Sequence, residues 1–64
     1  MIDVDSLKAE IVRNRKTQKD VAKMIGVTPK TFYDKMSRGV FGSDEIEIMI
    51  KELNIKDPIS IFFA

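Results

Sequence analysis

The side chains able to do chemistry in this chain are cations and amides rather than nucleophiles. It contains no histidine and no cysteine. Ser6, Ser37, Ser43 and Ser60 therefore have no imidazole to activate them, and serine triads and thiolate chemistry are excluded. Cys/His metal sites and a disulfide framework go with them. No acid/base pair of carboxylates marks a site, so the expectation is a protein that is not an enzyme and holds no cofactor and no metal. The bases, in contrast, are gathered. Residues 13–38 carry eight bases against two acids, a net +6 inside a chain whose total is only +1. Residues 1–12 carry one base against three acids, and residues 39–64 two against five. Such a block captures a polyanion, and its acidic flanks orient the encounter. The candidate contact residues are Lys16, Gln18, Lys19, Thr28, Pro29, Lys30, Tyr33, Asp34, Arg38 and Ser43.

These residues need elements to position them, and the stretch TQKDVAKMIGVTPKTFYDKMSRG, residues 17–39, supplies two. Thr17 is a good N-cap, and Asp20 three residues on completes a capping-box pair. Val21, Ala22, Met24 and Ile25 then form a one-sided apolar stripe. Gly26 ends the helix, since a left-handed C-terminal residue costs glycine no Cβ clash. Thr28 caps a second helix with Pro29 at its first position, where a missing N–H loses nothing. That helix, about Pro29 to Ser37, carries Phe32 and Met36 inward and stops near Gly39. A link this short makes the helices cross steeply, so Ala22 must be small where the second passes over. The layout is that of a helix-turn-helix.

The pattern TQ-x-x-x-A-x-x-x-G-V-T resembles the helix-turn-helix of the phage repressor and Cro class, within the wider lambda-repressor-like regulators. Gln18, Ala22, Gly26 and Val27 fall where that family has its signature residues. The following FYDKMSRGVFGSDEIEIMIKELNI and DPISIFF look like small regulators of phages and prophages of Gram-positive bacteria, so the likeness runs from about Leu7 to Phe63. One position departs: three residues after Phe32 the family has an apolar residue, and here it is Lys35. The resemblance implies a cytoplasmic, sequence-specific DNA-binding repressor that reads operator DNA with the second helix of the motif and binds paired half-sites as a homodimer. A major groove admits one helix, and residues at its N-terminal end reach base edges. Lys30 then suits guanine O6/N7, and Thr28 or Tyr33 a thymine methyl or a phosphate. Asp34 suits cytosine N4 or a neighbouring Lys. The resemblance assigns Gln18 a phosphate contact. Arg15, Lys16, Arg38 and Ser43 suit phosphates as well, whereas Lys19 and Lys23 suit a solvated helix face equally.

The rest of the chain reads as support. Residues 1–15 are a first helix with Val4, Leu7 and Ile11 on its apolar side and Asp3 or Asp5 as cap. Arg13, Arg15 and Lys16 crowd its end, where cations also favour the helix dipole. Arg38 to Ser43 is a loop that Phe41 anchors. Ser43-Asp44-Glu45 opens a fourth helix with Ile46, Met49, Ile50 and Leu53 as its stripe, ended by Asn54 or the adjoining loop. Asp57-Pro58 starts a short fifth, Ile59 to Phe63. Ile59 and Phe62 share a face there and close the core, which leaves Ile61 and Phe63 outside it for a partner copy. The expectation is one all-α, compact five-helix bundle over residues 1–64, with no strand. A domain of this size buries only ~60% of its unfolded surface. The longest apolar run, Ile61 to Ala64, is far too short to cross a membrane, and no signal-peptide pattern leads the chain. A rival reading keeps the fold and changes the partner: an antirepressor or modulator that binds a repressor rather than DNA, in keeping with the acidic ends and the near-zero total charge.

Overall fold

A computed structural model describes residues 2–63, which form five helices and no strand. They are α1 (Val4–Arg13), α2 (Gln18–Ile25), α3 (Pro29–Arg38), α4 (Ser43–Glu52) and α5 (Pro58–Phe62). Met1 and Ala64, which the first expected helix and the apolar tail include, lie outside the described residues.

Helix starts follow the caps. The Asp3 side chain accepts from the Ser6 N–H at 3.1 Å, so α1 begins at Val4 rather than at the chain start. Thr17 and Asp20 form a reciprocal box: Thr17 Oγ1 accepts from the Asp20 N–H at 3.1 Å, and the Asp20 carboxylate accepts from the Thr17 N–H at 2.8 Å. Thr28 caps α3 and Asp57 caps α5, each with proline following in the first turn. At α4 the cap is Gly42, whose N–H donates to Glu45 Oε1 at 2.8 Å.

Helix ends share one device. After α1, α2, α3 and α4 the chain passes through a left-handed residue, respectively Arg15, Gly26, Gly39 and Asn54. Each is closed by an N–H reaching back five residues: Lys16 to Ile11, Val27 to Ala22, Val40 to Lys35 and Ile55 to Ile50, at 2.9–3.2 Å. This is the Schellman closure, which satisfies carbonyls that a helix end leaves without partners. Glycine takes the conformation freely at two of the four; Arg15 and Asn54 hold it against a Cβ.

The core gathers Ile2, Leu7, Ile11, Val21, Ala22, Ile25, Phe32, Met36, Phe41, Met49, Leu53, Ile55, Ile61 and Phe62, with Val4, Val27, Ile46 and Ile50 packed around it. Central α2 packs against α1, α3 and α4, while α5 packs on α1. No buried side-chain nitrogen or oxygen among the described residues lacks a hydrogen bond. Arg13 does more than face its own helix end. Its Nη2 bonds Glu10 and reaches the Leu53 carbonyl at 3.1 Å, and Asn14 Nδ2 reaches the same carbonyl at 2.9 Å. Two side chains from the end of α1 thereby stitch the end of α4. No helix of the described residues is long and apolar enough to cross a membrane.

The tail differs from its sequence reading. Ile61 and Phe62 are buried, whereas Ile59 and Phe63 are each 69% exposed. The expected pairing of Ile59 with Phe62 assumes one flat buried side. Instead the Asp3 N–H donates to the Ile61 carbonyl at 2.7 Å. Ile61 and Phe62 both join the core, and Ile61 lines one surface cavity with Ser6, Glu10 and Arg13 of α1. A five-residue helix lodged with neighbours on two sides buries successive residues.

Candidate functional site

The α2–α3 pair sets the site. Phe32 and Met36 are buried, and their spacing sets which side of α3 faces the core. Lys30, Asp34, Ser37 and Arg38 consequently turn outward and are exposed, and Tyr33 on their flank is 51% exposed. Lys19 and Pro29, from different helices, line one open groove of about 560 Å³ with Asp20, Lys23 and Val27. Pro29, Gln18 and Lys16 are half-buried, whereas Lys19, Thr28 and Ser43 are exposed. Ser43 is the first residue of α4, beyond the loop.

Ion pairing sorts the eight bases of residues 13–38. Arg13 pairs with Glu10 at 2.6 Å, Lys35 with Glu45 at 2.8 Å and Arg38 with Asp34 at 3.3 Å. Among the described residues Arg15, Lys16, Lys19, Lys23 and Lys30 have no carboxylate within ion-pair distance. These five run from the end of α1 to the first turn of α3. The Arg38–Asp34 pair is exposed to solvent and open to exchange for another partner. Asp34 therefore has an arginine neighbour at i+4, where the sequence suggested a lysine.

Other candidates are partly engaged. The Thr28 hydroxyl accepts from the Thr31 N–H at 3.2 Å and donates to Thr31 Oγ1 at 3.0 Å, so it caps α3 and leaves its methyl as the free group. Ser37 Oγ donates to the Asp34 carbonyl at 3.1 Å. No hydrogen bond within the described residues engages the side chains of Gln18, Lys30 or Tyr33. The Asp20 carboxyl lies below its ordinary value because of hydrogen bonds from Thr17, the backbone N–H first. The charges of Lys16 and Lys19 beside it act in the same direction.

Three contributors escaped sequence reading. Lys23, read as either a phosphate contact or a solvated face, and Val27, read as the link between the helices and a signature position, were not among the candidate contacts, yet both line the groove with Lys19. Glu45 looked like a first-turn acid only. It is the partner of Lys35, ten residues away, and no helical spacing rule reaches that far. Burial pushes the Glu45 carboxyl up, but the Lys35 hydrogen bond, the Gly42 N–H and the Lys35 charge together outweigh it and leave the group below its ordinary value.

No family model, no curated protein and no solved structure matches this chain.

Proposed function

We propose that this chain is a sequence-specific DNA-binding regulator of transcription, a Cro-type repressor of phage or prophage character in which α2 and α3 form a helix-turn-helix. The observation that carries the reading is the set of five cations without a carboxylate partner among the described residues, Arg15, Lys16, Lys19, Lys23 and Lys30, which run from the end of α1 to the first turn of α3 in a chain with acidic ends. In this reading Gln18, Lys16 and Lys19 position the protein on phosphates, with Arg38 and Ser43 at the far side of α3. Lys30, Tyr33 and Asp34 face base edges in the major groove, and Thr28 and Pro29 sit at the helix tip. Control is by occupancy, without catalysis. Ile59 and Phe63, apolar and exposed, are the surface through which two copies pair on a two-fold operator.

The test is a mobility shift across salt concentrations, with duplexes drawn from a random pool. Arg15, Lys16, Lys19, Lys23 and Arg38 on phosphates give a log–log salt slope of about −4 to −5. Enrichment of one sequence with that slope supports the reading. A flat response, or no binding near 50 mM salt, the low end of the usual range, rejects it. The second reading, a modulator that binds a repressor, keeps Ile59 and Phe63 as its contact. It predicts capture of a partner protein with no shift of any duplex.

A further inference from the structure

Among the described residues α3 packs broadly on α2 alone. Its other ties to the molecule are few. Phe32 meets Phe41 with ring centroids 5.4 Å apart, and Gly39 passes beside Ile2 and Val4. Glu45 adds a polar tie. Its Oε1 accepts from Lys35 Nζ at 2.8 Å and from the Gly42 N–H at 2.8 Å, and its Oε2 accepts from Lys35 Nζ at 3.0 Å. One carboxylate thus joins α3, the loop after it and the first turn of α4. The pair is largely withdrawn from water, with the Lys35 side chain 31% exposed and that of Glu45 15%.

We infer that Glu45 is a positioning residue for α3: through Lys35 it fixes the orientation of that helix about its own axis, and so sets which side chains meet the bases. The inference rests on the DNA-binding reading above. The physical reason lies in what each kind of contact constrains. Apolar burial is non-directional, so Phe32 and Met36 hold α3 down while tolerating small rotations. Charge-assisted hydrogen bonds have preferred distances and angles, and two of them to one ammonium, braced by a backbone N–H on the same carboxylate, resist such rotation. The flank of α3 that carries Lys35 has no other side-chain hydrogen bond to the rest of the molecule among the described residues. Lys35 is engaged here and so takes no part in phosphate contact. A partly buried pair of this kind adds little to stability compared with apolar residues of similar volume. Its value lies in geometry.

The experiment separates geometry from stability. Wild type selects a duplex from a random pool, and its affinity for that duplex is measured beside one random duplex. The same is done for the double variant Lys35→Met/Glu45→Gln, in which glutamine still accepts from the Gly42 N–H. The expected result is a thermal midpoint equal to wild type or higher, an unchanged salt slope on random DNA, and a selected-over-random ratio lower by about tenfold, equivalent to 1.4 kcal/mol. Partial unfolding lowers both affinities alike and leaves the ratio untouched, so only altered positioning moves it. An unchanged ratio overturns the inference while leaving the DNA-binding reading in place. A salt slope reduced by about 0.9 also overturns it, because Lys35 was then on a phosphate. A wild type that selects no duplex removes the DNA-binding reading, and the inference with it, before any variant is made. Should the double variant not fold, Lys35→Met alone, which removes both bonds to the ammonium and keeps the Gly42 bond, reads the same ratio, with the same loss supporting and the same constancy overturning.

Discussion

The α2–α3 pair and the α5 tail bury apolar surface by different means. In the pair, each helix has a side-chain cap, a glycine exit and one apolar stripe, and the buried residues Val21, Ala22, Ile25, Phe32 and Met36 all follow helical spacing. In the tail, a five-residue helix buries two neighbours, Ile61 and Phe62, and exposes Ile59 and Phe63 on either side of them. Local chain geometry decides the first arrangement. The second is decided by what surrounds it: α1 on one side and the Asp3 N–H on the Ile61 carbonyl. Regular helices that carry their own boundaries present a defined face outward. A short terminal piece takes whatever faces its neighbours leave.

The comparison is broken most forcefully at Phe62, 3% exposed in the core. Phe62→Ala is expected to cost about 3–5 kcal/mol through lost burial and an unfilled cavity. A core of this size rarely supplies more than about 3–5 kcal/mol in total. Circular dichroism at 25 °C should therefore show a largely unfolded chain. Full helicity with a sharp melt would mean that the tail is an ornament on a core closed without it.

Next comes Ala22, wholly buried on α2. Ala22→Leu inserts three carbons where α2 lies between its neighbours and is expected to cost about 1–3 kcal/mol from overpacking. A melt unchanged from wild type would show that α2 and α3 do not approach closely at this point.

The exits of α1 and α2 give a matched pair of opposite sign. Gly26 has φ +80°, and a Cβ built there meets nothing within 4 Å. Gly26→Ala therefore isolates the backbone term, a loss of about 1–2 kcal/mol. Arg15 holds the same region at φ 57° with a long side chain. Arg15→Gly relieves that strain but loosens the unfolded chain by about 0.4–1 kcal/mol. The net expectation is a gain of about 0–1.6 kcal/mol. If Arg15 contacts a phosphate, the same variant binds all duplexes more weakly and its salt slope falls by about 0.9. A stabilised variant with unaltered DNA binding would show that the cation at this turn does nothing for the interface.

These residues also show where sequence was informative. Thr17 with Asp20, Gly26, Thr28 with Pro29, and Gly39 act within four residues of themselves, so their types alone locate α2 and α3. The all-helical architecture of five elements follows from such punctuation together with the stripes. What was not legible depends on partners far along the chain. Arg13 finds the Leu53 carbonyl forty residues away, and Lys35 finds Glu45 on the next helix. Ile61 replaces Ile59 in the core because of where α1 runs. In the candidate site, the outward turn of Lys30 and Tyr33 follows from Phe32 and Met36. The capture of the Thr28 hydroxyl by the Thr31 N–H follows from its place as N-cap, whereas its second bond, to Thr31 Oγ1, depends on a side-chain rotamer that residue type does not set. The Arg38–Asp34 pair was within reach, since i,i+4 neighbours meet on a helix surface.

The smallest effect on the fold is expected where the tail faces outward. Phe63 is 69% exposed and Ile59 likewise, so truncating either removes little burial from the single chain. Phe63→Ser should change the melting free energy of the dilute protein by no more than about 0.5 kcal/mol, as surface substitutions generally do. Its effect on association should be larger. Two large apolar side chains flanking a buried pair, on a chain this small, form a patch that a second copy can cover. Sedimentation equilibrium across micromolar concentrations reads this directly: a wild type that dimerises beside a Phe63→Ser chain that stays monomeric, with both melting alike when dilute. A wild type monomeric throughout would confine pairing to DNA. A dimer indifferent to Phe63→Ser would move the interface elsewhere, with exposed Ile48 on α4 the next residue to change. In that case the outward half of the tail would have no assigned role, and the contrast between a self-bounded pair and an environment-shaped tail would rest on the buried half alone.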